Sequence, residues 1–202
     1  MTGTTIAQAF PIAFSPILTR IYTPEDLGTL AIYLSIVAVF SNIITLKYEL
    51  AIIIPKEDKD STGLMILSLI ISIISSIIVF LIVFFFNQDI VSLLGKGNKE
   101  ISKWLYFVPL TIFFIGVYNS FNYWLNRKEK YKPLAASKIV NMGGMTFSQI
   151  ILGLLKFKPI GLLYGVLIGR LFSSLLLMKQ VLKEDKNFYK SISFEKIKIQ
   201  AI

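Results

Sequence analysis

Residues 64–86, LMILSLIISIISSIIVFLIVFFF, decide the fold. They carry no charge and only serine as a polar type. A bilayer core about 30 Å thick is crossed by roughly 17–25 mostly apolar residues in a helix, and this run has that length. Its backbone must be satisfied within the segment, because lipid offers no hydrogen bonds. A membrane β-strand would instead alternate over segments of about ten residues. The run predicts a transmembrane helix.

Working outward, five more segments have the same character. Residues 27–46 and 104–125 are strongly apolar, while 134–155 and 160–182 are each interrupted by one basic residue, Lys138 and Arg170. The first segment, 2–18, is shorter and contains Pro11 and Pro16, which remove backbone donors and are expected to bend it. The fold expected is all-α: a polytopic bundle of about six transmembrane helices over residues 1–182, followed by a polar cytoplasmic tail or linker over 183–202.

Composition agrees. Hydrophobic residues make up 54% and charged residues 16% of the chain, and the mean hydropathy is +0.68. Soluble domains carry about 25% charged residues. With no Cys and no His, disulfide frameworks, Cys/His zinc sites and Cys/His catalysis are excluded. No metal and no cofactor is expected. There is no G-x-x-x-x-G-K-[ST] motif to cradle a nucleotide, so ATP hydrolysis by this chain is not expected. The first residues lack a basic region and a small-residue cleavage site, so no cleavable signal peptide is expected.

The net charge of +9 lies in short clusters between the apolar runs. Such clusters set topology and meet anionic lipid headgroups rather than nucleic acid. With the N-terminus cytoplasmic, the inner segments hold Lys47, Lys56, Lys59, Arg127, Lys128, Lys130, Lys132 and six lysines between 179 and 198, or 13 in all. The outer segments hold 6: Arg20, Lys96, Lys99, Lys103, Lys156 and Lys158. Positive residues concentrate inside, so both termini are expected in the cytoplasm.

Polar residues inside the spans form stripes. At 100° per residue, Gln8, Ser15 and Thr19 share a face of the first segment. Asn119, Asn122 and Asn126 do so on the fourth, and Lys138, Asn141 and Gln149 on the fifth. On the sixth, Arg170, Ser173 and Ser174 cluster. Polar groups facing lipid are costly, so the stripes face either other helices, as hydrogen-bonding contacts worth about 0.6 kcal/mol each, or a hydrated central cavity.

Arg170 lies ten residues into its segment, about 15 Å deep at 1.5 Å per residue. A basic residue there costs at least ~2.5–3.5 kcal/mol on insertion scales and marks a pathway or a partner. No membrane-embedded acid is at hand for it; a guanidinium so placed calls for an anion, and phosphate matches its fork. Lys138 sits about one turn from the expected cytoplasmic end of its segment and reads first as a snorkelling interfacial lysine, and only second as part of a substrate path. Gly161, Gly165 and Gly169 form a small-residue row that lets another helix approach, with Arg170 turned 100–180° away from it.

Three stretches carry a resemblance: residues 15–36, SPILTRIYTPEDLGTLAIYLSI; 47–56, KYELAIIIPK; and 122–132, NYWLNRKEKYK. In order and spacing they resemble the N-terminal half of bacterial polysaccharide-biosynthesis flippases of the O-antigen-translocase type, in the multidrug/oligosaccharidyl-lipid/polysaccharide exporter superfamily. The resemblance covers the chain to about residue 180. It implies translocation of an undecaprenyl-pyrophosphate-linked oligosaccharide across the cytoplasmic membrane, through a cationic cavity between two six-helix lobes. It also implies that Arg20, Lys47 and Glu49 are motif residues of the substrate path, beside Arg170, Lys138 and Asn122. Arg20 reads otherwise as an interfacial anchor on the outer side, and Glu49 as a brace for Lys47 or Arg127. Members of the family have two lobes and usually extra residues before the first helix. One lobe is present here, so the expectation is a fragment, a split gene or a shortened chain that works with a second lobe, or a homodimer of half-transporters.

Three other functions compete, of which a purely structural membrane subunit would need no polar stripes. A membrane-embedded enzyme of lipid or glycan synthesis needs paired acids with metal, or a His base; here Asp58 and Asp60 fall in a Lys-rich loop, and Glu25 and Asp26 resemble a helix N-cap. No enzyme activity is expected. A multidrug exporter of the same superfamily would favour acids in the cavity, whereas the intramembrane charges here are basic.

Overall fold

The structure is a computed structural model that describes residues 2–94 and 99–184; of residues 2–4, 94, 99, 100 and 184 only the backbone is described. The expected polar tail therefore falls, from 185 on, outside the described residues. Among the described residues eight helices follow one another: α1 (Thr2–Ile21), α2 (Pro24–Ser41), α3 (Tyr48–Ala51), α4 (Asp58–Leu94), α5 (Lys99–Leu105), α6 (Val108–Arg127), α7 (Tyr131–Leu154) and α8 (Ile160–Glu184). Six are long and correspond to the six expected segments; α3 and α5 are short additions.

By length and apolar composition, four stretches suffice to cross a bilayer among the described residues: Pro24–Ser41, Asp58–Leu93, Ile101–Arg127 and Ile160–Lys183. Helices α1 and α7 are long but more polar, and they pack on each other. Phe10 and Phe14 of α1 meet Phe147 of α7 at 6.2 and 5.5 Å between ring centroids. The chain is an all-α polytopic membrane protein.

Local chemistry sets the boundaries. Thr23 caps α2 by accepting from the Asp26 amide at 3.2 Å, while the Asp26 carboxylate accepts from the Thr23 amide at 2.9 Å, a reciprocal capping box with Pro24 in the first turn. The cap is thus Thr23, not the acids themselves. Helices α6 and α7 both end in a left-handed residue, Glu129 (φ 55) and Lys156 (φ 63). The amides that follow close on carbonyls five residues back, Lys130 on Leu125 at 2.9 Å and Phe157 on Leu152 at 3.0 Å. These are Schellman motifs.

Helix α4 runs 37 residues, about 55 Å at 1.5 Å per residue, well beyond one bilayer core. Phe86 breaks its helical geometry (φ −109, ψ 20). Beyond the break, Asn87 donates to the Ser102 carbonyl at 3.0 Å and accepts from the Ser102 hydroxyl, tying the end of α4 to α5. Helix α1, by contrast, continues through Pro11 and Pro16 as a single element.

Helix α6 is central: it packs against α4, α8, α2 and α7. One apolar cluster, around Tyr33, Trp104, Ile112 and Leu163, joins α2, α5, α6 and α8. A second, around Met65, Trp124, Leu125 and Leu177, joins α4, α6 and α8. Between α4 and α6 small polar groups interlock instead. Ser68 and Ser120 share a hydrogen bond at 2.8 Å, and Ser72 packs where a Cβ on Gly116 would stand.

The glycine row behaves as the sequence predicts. A Cβ on Gly165 would fall 2.3 Å from Gln149 Cγ, and one on Gly169 would fall 2.6 Å from the Asn141 carbonyl oxygen. Helices α7 and α8 are in contact along this seam.

Candidate functional site

The two ends of the bundle differ in chemistry. At one end, the far face, the corner between α1 and α2 meets the turn between α7 and α8. Tyr22 is buried there, and its hydroxyl donates to the Gln149 carbonyl at 2.7 Å. Burial, with the Asp26 carboxylate second, pushes its phenol up to about 12, so it stays a neutral donor. Arg20, one turn before the corner, is exposed and makes no ion pair among the described residues.

At the other end, the near face, residues 52–58 run under the turn between α6 and α7. The Arg127 guanidinium donates to the carbonyls of Ile53 at 3.2 Å, Pro55, and Lys56 at 3.1 Å, and pairs with Asp58 at 3.3 Å. Lys128 also pairs with Asp58 and lies 5.1 Å over the Trp124 ring. An open cleft of 630 Å³ beside this clasp is lined by Pro55, Asp58, Arg127 and Tyr131 among others.

Glu49 was expected to brace Lys47 or Arg127, and it does neither. It is 3% exposed and its carboxylate accepts from the Thr45 hydroxyl. Lys47 occupies a left-handed position (φ 63) at the N-cap of α3, stays exposed, and donates to Asn42 Oδ1 at 3.3 Å. The left-handed residue turns the chain so that Lys47 points out and Glu49 points in. Arg127 is taken by the carbonyls.

Between the two ends lies the candidate site. Tyr118 stands ten residues into α6 and Arg170 ten residues into α8. Both helices start at the far face, so both residues lie about 15 Å deep. Arg170 is half-buried, and its side chain makes no hydrogen bond or ion pair with any described residue. Arg170 lies on the face of α8 that carries Leu163 and Leu177, seven residues to either side, and both of these are buried in clusters with α6, Leu177 in the one that holds Tyr118. The Tyr118 hydroxyl accepts from Asn122 Nδ2 at 3.3 Å and shares a hydrogen bond with the Ser137 hydroxyl of α7, also 3.3 Å. Helices α6 and α7 thus bring a phenol, an amide and a hydroxyl together inside the bundle, with the Arg170 guanidinium at the same depth on the α6-facing side of α8.

Of the sequence-predicted residues, Asn122 joins the Tyr118 hydrogen-bonded set and Arg170 stands at the depth of Tyr118 on the neighbouring helix α8. Lys138 follows Ser137 on α7 but is exposed. Helix α7 begins at Tyr131, so Lys138 lies seven residues in, about 10 Å, deeper than one turn. Lys47 and Glu49 belong to the near face and Arg20 to the far face.

The stripes divide. Asn141 and Gln149 are buried against the α8 glycines, with Gln149 Nε2 donating to the Leu162 carbonyl at 3.0 Å. Ser173 and Ser174 bond back to the carbonyls of Arg170 and Leu171 in their own helix. These groups are packing contacts, not cavity lining. Gln8, Ser15 and Thr19 of α1, by contrast, are exposed on the outside of the bundle.

The set offers hydrogen-bond donors and one fixed positive charge in the depth of a membrane bundle. It suits recognition of an anion. The model of the polysaccharide biosynthesis protein family matches residues 17–197. The chain belongs to that family. Its members' role in polysaccharide biosynthesis, together with the membrane-spanning helices, makes this a membrane component of that process. The match takes in the first singled-out stretch from residue 17 on, the other two in full, and Tyr118 and Arg170. Comparison with curated proteins and with solved structures returns no match.

Proposed function

We propose that this family member is one lobe of a flippase. It carries an undecaprenyl-pyrophosphate-linked oligosaccharide from the cytoplasmic to the periplasmic leaflet of the bacterial cytoplasmic membrane, with both termini in the cytoplasm. The observation that supports this reading is Arg170: a guanidinium at mid-span with no anionic partner among the described residues, in a protein of polysaccharide biosynthesis. A charge so placed costs free energy that a passing anion offsets. Pyrophosphate, with two sets of acceptor oxygens, matches the guanidinium fork.

The exposed polar stripe of α1 supports a partner against this lobe, since Gln8, Ser15 and Thr19 otherwise face lipid. That partner is a second lobe or a second copy of this chain. Near-face lysines meet anionic headgroups. The role is translocation, with no bond made or broken.

The test is complementation of a bacterium lacking its lipid-linked-oligosaccharide flippase, scored as surface polysaccharide. The expected result is restored polymer, either from this chain alone or when a C-terminal lobe is supplied. Failure in both settings, with normal membrane insertion, overturns the assignment.

A further inference from the structure

Tyr118 has chemistry beyond packing. Its ring belongs to the apolar cluster formed with Met65, Trp124 and Leu177, and it is 9% exposed, so its place in the bundle is fixed. Its hydroxyl, however, is drawn two ways at long distance: Asn122 donates to it at 3.3 Å, and Ser137 contacts it at 3.3 Å. Ser137 already has a better partner, since its hydroxyl donates to the Leu134 carbonyl at 2.8 Å. With Ser137's hydrogen committed there, the Ser137 contact is one in which the phenol gives its own hydrogen. The phenol is then held by Asn122 from one side and has a hydrogen to redirect. A hydrogen bond of 3.3 Å is easily exchanged for a shorter charge-assisted one, which runs near 2.5–2.7 Å for O–H···O⁻.

We propose that the Tyr118 hydroxyl is the second donor of the anion site. Asn122 orients its hydroxyl, the Ser137 oxygen accepts its hydrogen bond while the site is empty, and the intact O–H turns to donate to a phosphate oxygen when the anion meets Arg170. The inference rests on the reading of Arg170 as the anion's partner and adds the groups that aim the second donor. Because the phenol sits on α6 and the guanidinium on α8, the anion links two helices, while leaving Ser137 loosens the tie to α7.

The experiment is a titration of the full chain, in detergent micelles, with inorganic pyrophosphate. Wild type is expected to bind. Arg170→Ala is expected to bring binding below detection, and Tyr118→Phe, which keeps the ring packing, to weaken it about tenfold. Each 1.4 kcal/mol is a factor of ten, and one charge-assisted hydrogen bond is of that order. Ser137→Ala provides the opposing sign. Freeing the phenol is expected to leave affinity unchanged or raise it. If the phenol only pins α6 to α7, Ser137→Ala weakens binding as Tyr118→Phe does, and the proposal is overturned. Wild-type affinity in Tyr118→Phe, with Arg170→Ala still defective, overturns the role of Tyr118 and leaves that of Arg170 standing. Unchanged binding in Arg170→Ala, or none by wild type, overturns both.

Discussion

Two arginines in this bundle have opposite surroundings. Arg127, at the end of α6, donates to three carbonyls and a carboxylate. Arg170, in the middle of α8, has no hydrogen-bond or ion-pair partner among the described residues. Each charge-assisted hydrogen bond contributes about 1.5–3 kcal/mol, and a buried cation left without one carries its desolvation cost unrelieved. The first arginine therefore works for the fold, clamping residues 53–58 beneath the α6–α7 turn. The second costs the fold something, a cost that an anion outside the chain would offset. Satisfied and unsatisfied charge separate structure from function here better than depth or residue type does.

The contrast is open to attack. Arg127→Ala is expected to lower stability by about 2–4 kcal/mol, because it strips several carbonyls and Asp58 of their donor at once. Thermal unfolding in detergent measures it, against a change below about 1 kcal/mol for Arg170→Ala, which removes an unsatisfied charge and little packing. Equal losses would erase the distinction.

A second variant probes the frame around Arg170. Gly169→Ala places a Cβ 2.6 Å from the Asn141 carbonyl oxygen, where backbone rather than a flexible side chain must yield. A loss of about 1–3 kcal/mol is expected, and the α7–α8 seam opens beside the site. Cross-linking between cysteines introduced on α7 and α8 reads the spacing directly.

The smallest effect belongs to Asp58→Asn. The Asp58 side chain is 61% exposed, and exposed ion pairs contribute about 0.2–1 kcal/mol, less in high salt. A destabilisation of about 0.5 kcal/mol or below, vanishing at high ionic strength, is expected. A larger loss would mean that the clasp depends on its charge pair rather than on the carbonyls.

Much of the fold was legible in the sequence because each long helix announces itself by an apolar run, α4 most plainly. The short helices α3 and α5 were not, since four or seven residues are too few for periodicity to register. The motif stretches were legible as important but not in their roles. In TRIYTPED the structural weight falls on Tyr22, Thr23 and Asp26, while Arg20 stands exposed. Arg170 was found because a charge among apolar residues is conspicuous, and Asn122 because amides stand out likewise. Tyr118 was missed. A tyrosine in the run VYNSFNYW passes as one more aromatic, and only the fold shows that its hydroxyl ties an amide of α6 to a hydroxyl of α7. Sequence periodicity also put Gln149 on the same stripe as Lys138, although the glycine seam of α8 buries one and leaves the other exposed.

The most direct test of the central claim is surface-polysaccharide export in the complemented flippase-deficient bacterium, comparing wild type with Arg170→Ala at equal membrane abundance and with the second lobe supplied to both. The account predicts export by wild type and none by Arg170→Ala. Export by Arg170→Ala at the wild-type level would contradict it.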